Sequence, residues 1–299
     1  MTTTIPDPSL DTGQDAEKPG ALVPTRIVGF RALAPGLRTP SGMIGMIVIA
    51  VWVLIALTWS LWAQNPLATD AMATLRPPSL EHLFGTDSLG RDVFARVMAG
   101  SSTSLIVGPA ATVIAMAGGI LFGGLAGYLG GAADEIIMRI ADVLLAFPAL
   151  IIAIILLGLL QSDMTTLILL LALFFMPLVA RTVRGAVMSV KNQEYVEAAR
   201  LRGERTPYIL FAEILPNISG VIVVEATVRL SSAIVTSASL SFIGLGVQPP
   251  SPDWGLTIAT EAPYLTIAWW SALFPSLALA SLVVGVALLA EGLREGSER

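Results

Sequence analysis

Six stretches of the chain are apolar over a length that suits a membrane crossing, at about residues 43–63, 104–129, 140–160, 165–180, 218–240 and 267–290. A hydrocarbon core of roughly 30 Å asks for about 20 mostly apolar residues of α-helix, and these runs meet or approach that length. The pattern predicts an all-α membrane protein built as one bundle of six transmembrane helices. Polar passages separate the runs. Residues 1–25 are rich in Thr, Asp, Pro and Gly, have little to bury, and predict a disordered tail. Residues 26–38 (RIVGFRALAPGLR) mix basic and apolar positions and predict a short amphipathic segment at the membrane surface. Residues 64–100 are polar and proline-containing, and 241–266 form a Gly/Pro/Ser-rich loop too apolar to be wholly solvated. The longest strongly polar passage is 192–216.

Details within the runs refine this outline. Trp59 and Trp62 near the end of the first fit an interfacial aromatic belt. Glycines 119, 123, 127 and 131 are spaced by four, which on a helix makes a smooth ridge for a close helix partner. A short turn with Asp134, Glu135 and Arg139 leads into the third run, where Phe147-Pro148 predicts a kink, because proline removes a helical hydrogen bond. No internal repeat is evident. The domain division is therefore a tail at 1–40, a transmembrane domain at 41–292 with a polar loop at 181–216, and a second tail at 293–299.

Basic residues set the orientation. With both termini inside, the cytoplasmic segments hold Lys18, Arg26, Arg31, Arg38, Arg139, Arg181, Arg184, Lys191, Arg200, Arg202, Arg205, Arg294 and Arg299. The outer segments then hold only Arg76, Arg91 and Arg96. The passage at 192–216 is thereby expected in the cytoplasm.

Composition narrows the function. At 299 residues, 55% hydrophobic, 13% charged and a mean hydropathy of +0.78, the chain departs from an ordinary soluble globule. A net charge of -5 and no phosphate-tracking basic cluster argue against a nucleic-acid partner. The absence of cysteine excludes disulfides and thiolate chemistry, and a single histidine, His82, excludes a multi-histidine metal site. The first 25 residues lack the basic start and apolar run of a cleavable signal peptide. No P-loop pattern is present, so no ATP site is expected in this chain. No catalytic, cofactor or metal residues are assigned.

The passage NQEYVEAARLRGERTPYILFAEILP (192–216) reads as helix, stop, helix. Residues 194–202 are good helix formers, Gly203 suits the left-handed position that ends a helix, and Thr206 can cap a second helix with Pro207 in its first turn. The result is a stiff polar knob suited to docking. Glu197-Ala198-Ala199, Gly203 and Leu215-Pro216 resemble the EAA loop of bacterial ABC importer permeases, with Glu213 where the general motif often has Ile. The resemblance implies that this loop couples to a cytoplasmic ATPase. Small Ala198 and Ala199 would allow close approach to a groove, and Glu197 would meet a basic partner residue or cap the knob.

A second stretch, HLFGTDSLGRDVFAR (82–96), sets Gly85-Thr86-Asp87 and Gly90-Arg91-Asp92 as turn glycines beside side chains able to cap helices and bridge charges. It resembles the H-x-L-G-T-D-x-x-G-R-D-V-x-S-R pattern of the dipeptide/oligopeptide/nickel importer branch, in the C-type second permease subunit. Phe84 interrupts the usual Leu-Gly step, Ala95 replaces the usual Ser, and Ser102 stands where Arg is common. A third stretch, LSFIGLGVQPPSPDWG (240–255), resembles the same branch and contains Gln248, Pro249, Pro250 and Trp254. Relatives often carry Glu where this chain has Ser237, so that carboxylate's role does not transfer. The two outer stretches either pack helix ends or form an outer gate and receive a binding protein, with Trp254 suited to an interface. Glu225 and Arg229, four apart in the fifth run, either satisfy each other or line a pathway.

The resemblance, spanning about residues 40–290, implies a type I ABC importer transmembrane domain in a bacterial cytoplasmic membrane. It implies a heterodimer with a second homologous permease subunit, two ATPase subunits that bind ATP-Mg, an extracytoplasmic solute-binding protein, and short peptides as cargo, with nickel or another small solute as the alternative. Two other classes fit the sequence less well. An ion-driven secondary transporter should show several intramembrane carboxylates or repeated broken helices, and only the Glu225/Arg229 pair hints at that. A non-transporting membrane scaffold would use the knob without a pathway.

Overall fold

The computed structural model describes residues 36–160 and 163–298. The expected tail at 1–25 and most of the amphipathic segment at 26–38 lie outside the described residues. The main helices are α1 (Pro40–Trp62), α2 (Val93–Leu129), α3 (Gly131–Ala146), α4 (Ala149–Leu159), α5 (Met164–Val190), α6 (Glu194–Leu201), α7 (Ser219–Phe242), α8 (Trp254–Glu261) and α9 (Trp269–Glu298). No strand occurs among the described residues, and the single β-bridge joins Thr86 to Asp92. Five helices, α1, α2, α5, α7 and α9, are each long and apolar enough to cross a membrane. A sixth crossing exists if α3 and α4, bent by 83° at a short break, count as one.

Packing decides that they do. Along α2 and α5, Gly119 meets Val179, Gly123 meets Ala180, and Gly127 meets Arg184 and Val187. Residue numbers rise together, so the two helices run parallel. The chain must therefore return across the bundle between them. It does so through α3 and α4. Asp134 and Asp142 of α3 pair with Arg184 and Arg181 of α5, while Ala153 and Leu157 of α4 share a core with Leu167, Leu170 and Leu171 at the start of α5. The expected kink at Phe147-Pro148 is present, with Phe147 extended and Pro148 opening α4.

Several expected boundaries are corrected. Asp134, Glu135 and Arg139 lie on helix α3 rather than in a turn, because Gly130 caps α2 and α3 starts at once. Of the four ridge glycines, 119, 123 and 127 lie on α2, and Gly131 begins α3. A Cβ on Gly123 would lie 2.3 Å from the Ala180 carbonyl oxygen, so the ridge brings backbone to within contact of backbone. Helices α2 and α5 both overrun the apolar stretches, α2 at its start from Val93 and α5 at its end to Val190. Their polar ends are held by protein contacts that hydropathy does not register.

Helix α1 packs antiparallel on α9. Gly45 lies against Leu289, Gly42 against Gly292, and Trp52 Nε1 donates to Ser281 Oγ at 2.9 Å. Helix α7 runs antiparallel to α2, with Ile234 against Gly108. One end of the bundle therefore gathers the start of α1, the ends of α2, α5 and α9, and the 192–216 knob. The other end gathers residues 63–92, 243–268 and the start of α5.

Candidate functional site

The knob is built as its sequence suggests at its first helix. Gly203 has φ +78, its amide donates to the Arg200 carbonyl at 2.9 Å, and the Glu204 amide reaches back to Ala199 at 3.2 Å. This paired arrangement satisfies the last carbonyls of α6 and turns the chain sharply. The second half differs from expectation. Arg205 occupies the capping position, with Thr206 as the first helical residue, and no side-chain cap bond forms there. Extended backbone at Arg205 followed by Pro207 in the first turn starts the helix without a hydroxyl. The segment then continues through a π-helical stretch, Ile209–Ile214, to Leu215–Asn217. Arg202 Nη2 binds Glu213 Oε1 at 2.9 Å, tying the end of α6 to this second helix. Glu213, the departure from the general motif, is half of that tie.

Packing splits the knob into two faces. Val196, Ala199, Ile209, Leu210 and Ile214 are buried and join Val179, Val183 and Val187 of α5 in one core. Burying each large aliphatic side chain here contributes on the order of 1.5–3 kcal/mol. Ala199 is fully buried, so it seats the knob on the bundle and does not present a small surface to a groove. Glu197, Ala198, Gly203 and Pro216 are exposed, and Leu215 is half-buried against the same core. Leu201 at 90% and Phe211 at 53% exposure, with Tyr208 and Pro207, give the outward face an apolar tip that the motif did not single out. Large exposed apolar side chains on an otherwise polar passage were the available signal. The knob is latched to the bundle by Lys191 Nζ, which donates to the Gly127 carbonyl at 3.0 Å, and by Arg200, whose guanidinium lies 5.2 Å from the Tyr128 ring centroid.

At the opposite end, the two outer motifs meet. Asp87, wholly buried, accepts from the amides of Leu89 and Arg91 at 2.9 Å each and from Arg91 Nε at 2.7 Å, closing the turn on itself. Asp92 caps α2 through the Ala95 amide at 2.7 Å, and its other oxygen pairs with His82 Nδ1 at 2.8 Å. Thr86 receives the Arg76 amide at 2.8 Å and donates to the Ala73 carbonyl, while its own carbonyl accepts from Trp270 Nε1 at 3.1 Å. Gly85 and Gly90 hold positive φ in this turn.

Helix α8, which begins at the end of the second motif, grips the first. Glu261 at the end of α8, also wholly buried, takes the Ser88 amide at 3.1 Å and hydroxyl at 2.7 Å. Arg96 Nη2 donates to Thr257 Oγ1 at 3.2 Å. Asp253 caps α8 through the Leu256 amide at 2.8 Å, and burial pushes its carboxyl above the usual range against the pull of that bond and of nearby Arg96. Trp254 is buried, donates to the Val97 carbonyl at 2.8 Å and lies edge-on to Trp52, so it is a core residue and not an interfacial one. Gly100 makes room for it. Thr86, Asp87, Asp92 and Trp254 thus build a locked cap at this end. Gln248, Pro249 and Pro250 stand exposed, with the Gln248 amide turned back on the Gly244 and Gly246 carbonyls at 3.1 Å. Helix α8 was expected as irregular loop. A short capped helix between proline-rich turns lacks the length that hydropathy detects.

Within the candidate span α7, Arg229 Nε binds Glu225 Oε1 at 2.7 Å on one face of the helix.

A helical bundle with five helices long enough to cross a membrane, a sixth bent crossing, a polar knob at one end and a locked cap at the other defines a multi-pass membrane protein. The sequence profile of the binding-protein-dependent transport system inner membrane component family matches residues 119–299, which include the knob. The chain belongs to this family, and its fold is the type I ABC importer transmembrane domain. It is 38% identical over 254 residues to the oligopeptide transport system permease protein OppC of Bacillus subtilis (strain 168), covering 85% of this chain and 83% of that one. It is 40% identical over 255 residues to the glutathione transport system permease protein GsiD of Pectobacterium atrosepticum, covering 83% and 85%. It is 34% identical over 287 residues to the di/tripeptide transport system permease protein DppC of Pseudomonas aeruginosa (strain UCBPP-PA14), covering 94% of each. The chain is a multi-pass permease component of an ABC importer.

Proposed function

We propose that this permease carries short peptides inward across the cytoplasmic membrane, as one half of a heterodimer with a second permease subunit. Two ATPase subunits drive it from the cytoplasm, and an extracytoplasmic solute-binding protein delivers cargo to the capped end. The knob is the ATPase docking element, with both ends of the described chain on the same, cytoplasmic side. The observation that carries this reading is the two-faced knob, whose inner half is bundle core and whose outer half offers Leu201, Tyr208 and Phe211 to a partner. Peptide cargo draws support from relatives named as oligopeptide and di/tripeptide permeases. Hydrolysis in the partner chains favours one arrangement of the docked knobs, and a partner can shift this equilibrium only by its different affinity for the two states.

The test is ATP-dependent uptake of a labelled dipeptide by the co-purified complex in proteoliposomes, with the intact chain and with Gly203→Val and Glu197→Arg. Uptake by the intact complex together with loss of ATPase co-purification or of uptake in the variants supports the reading. Unchanged ATPase capture and uptake in both variants removes the knob from coupling. An ATPase-bound complex that moves nickel and no dipeptide overturns the cargo.

A further inference from the structure

The break between α3 and α4 puts irregular backbone in the middle of a crossing, and such backbone is tolerated at membrane depth only where protein buries it or a cavity hydrates it. A cavity of about 420 Å³ lies there, lined by Leu145, Phe147, Pro148, Ile152, Phe175 and Thr236 among others. Its volume falls within the roughly 300–1,000 Å³ of small-molecule sites. The lining is apolar apart from the Thr236 hydroxyl. Phe175 connects it to the ion pair, because the Arg229 guanidinium lies 6.0 Å from the Phe175 ring centroid. Thr236 and Arg229 are seven residues apart on α7 and so share a helix face. The cavity therefore has apolar walls, and the ion pair lies outside its lining, on the far side of Phe175.

Two charges in this position are costly unless each has a partner, and here Glu225 and Arg229 pair across 2.7 Å, with the Phe175 ring beside the guanidinium. A zwitterion supplies one charge of each sign, so it can part Glu225 from Arg229 and leave neither unpaired. We propose that the elbow cavity and the Glu225–Arg229 pair form a subsite for a zwitterionic short peptide with apolar side chains. The peptide ammonium goes to Glu225, its carboxylate to Arg229, and a side chain enters the cavity. This rests on the peptide-transport reading above and assigns that cargo a place in the membrane.

The test uses the intact importer in nanodiscs, photolysed with the dipeptide p-benzoylphenylalanyl-alanine, with labelled positions mapped by mass spectrometry. Labels at the α3–α4 elbow and around Phe175 are expected, displaced by free alanyl-phenylalanine and not by its N-acetylated amide, which lacks both charges. The double variant Glu225→Gln/Arg229→Gln keeps a neutral hydrogen-bonded pair. It is expected to assemble and to hydrolyse ATP in response to the binding protein, with dipeptide uptake lower by about tenfold or more. A pair that only holds the fold would instead lower assembly and ATPase activity together. Leu145→Trp, which fills the cavity without touching the pair, should depress uptake of bulky dipeptides more than of dialanine. Labels elsewhere, or normal uptake in the double variant, overturn the subsite while leaving peptide transport standing. A wild-type complex that takes up no dipeptide overturns the peptide reading, and the subsite with it.

Discussion

Gly90 sits at φ +70 with no room for a side chain, since a Cβ there would fall 1.8 Å from the Asp70 carbonyl oxygen. Gly90→Ala is expected to cost at least about 1–2 kcal/mol from the left-handed backbone alone, with the collision added. Thermal denaturation of the purified complex should show a lower Tm, with the outer cap opening first in hydrogen exchange. Asp253 makes a pH prediction. Its carboxyl is raised by burial, so the folded chain holds a proton that the unfolded chain has already released. Stability contributed by this group is present at low pH. It is lost as pH rises from about 4, the ordinary carboxylate value, through the raised folded value. Asp253→Asn keeps a capping oxygen for the Leu256 amide and removes the titration. The variant should flatten the pH dependence of Tm above pH 4 and gain most over the parent at neutral pH. Much of this residue chemistry was readable beforehand, because Gly85, Gly90 and Asp92 announce a tight turn and a helix cap. The partner across the cap was not. Glu261 and Ser88 are separated by 173 positions, and no local pattern links them.

Among elements, the knob separates two roles that its motif runs together. Leu201→Asp or Phe211→Asp should leave the fold intact and weaken capture of the ATPase by about tenfold or more, as for exposed anchors at an interface. Ala199→Leu should do the opposite. It inserts volume into a closed core and costs about 1–3 kcal/mol of stability, seen as a lower Tm before any change in binding. Helix formers and Gly203 made α6 legible in sequence, and the arrangement of the terminal hydrogen bonds follows from that glycine. The inward turn of Ala199 was hidden, because in a run of eight helical residues the buried face depends on where α5 lies. The π-helical stretch was hidden for the same reason: Ile209, Leu210 and Ile214 are drawn onto a neighbour that is remote in sequence.

At the scale of the whole molecule, hydropathy located six crossings, the third with its kink, and misjudged their ends where polar residues find protein partners. That the bent third run crosses, and does not turn back, needed packing. Only the parallel run of α2 and α5 shows that the bent α3–α4 pair returns the chain. The chain has no cysteine, so single cysteines report on topology without background. Ser79→Cys, exposed at the capped end, should react with a membrane-impermeant maleimide in spheroplasts, and Arg205→Cys, exposed on the knob, only after permeabilisation. Labelling of both from one side would refute the arrangement of the two ends.

The division of the knob into a buried half and a free half bears on how such subunits diverge. Positions that face α5 answer to this chain's own bundle, whereas Glu197, Ala198, Leu201, Tyr208 and Phe211 answer only to whatever docks. With the knob as the proposed ATPase dock, a lineage could exchange one ATPase for another by drift at a handful of outward sites without renegotiating its core. By the same logic, a loop transplanted whole between two permeases imports foreign core residues along with foreign contacts. Chimaeras that graft the outward positions alone should inherit the new partner and keep the old fold.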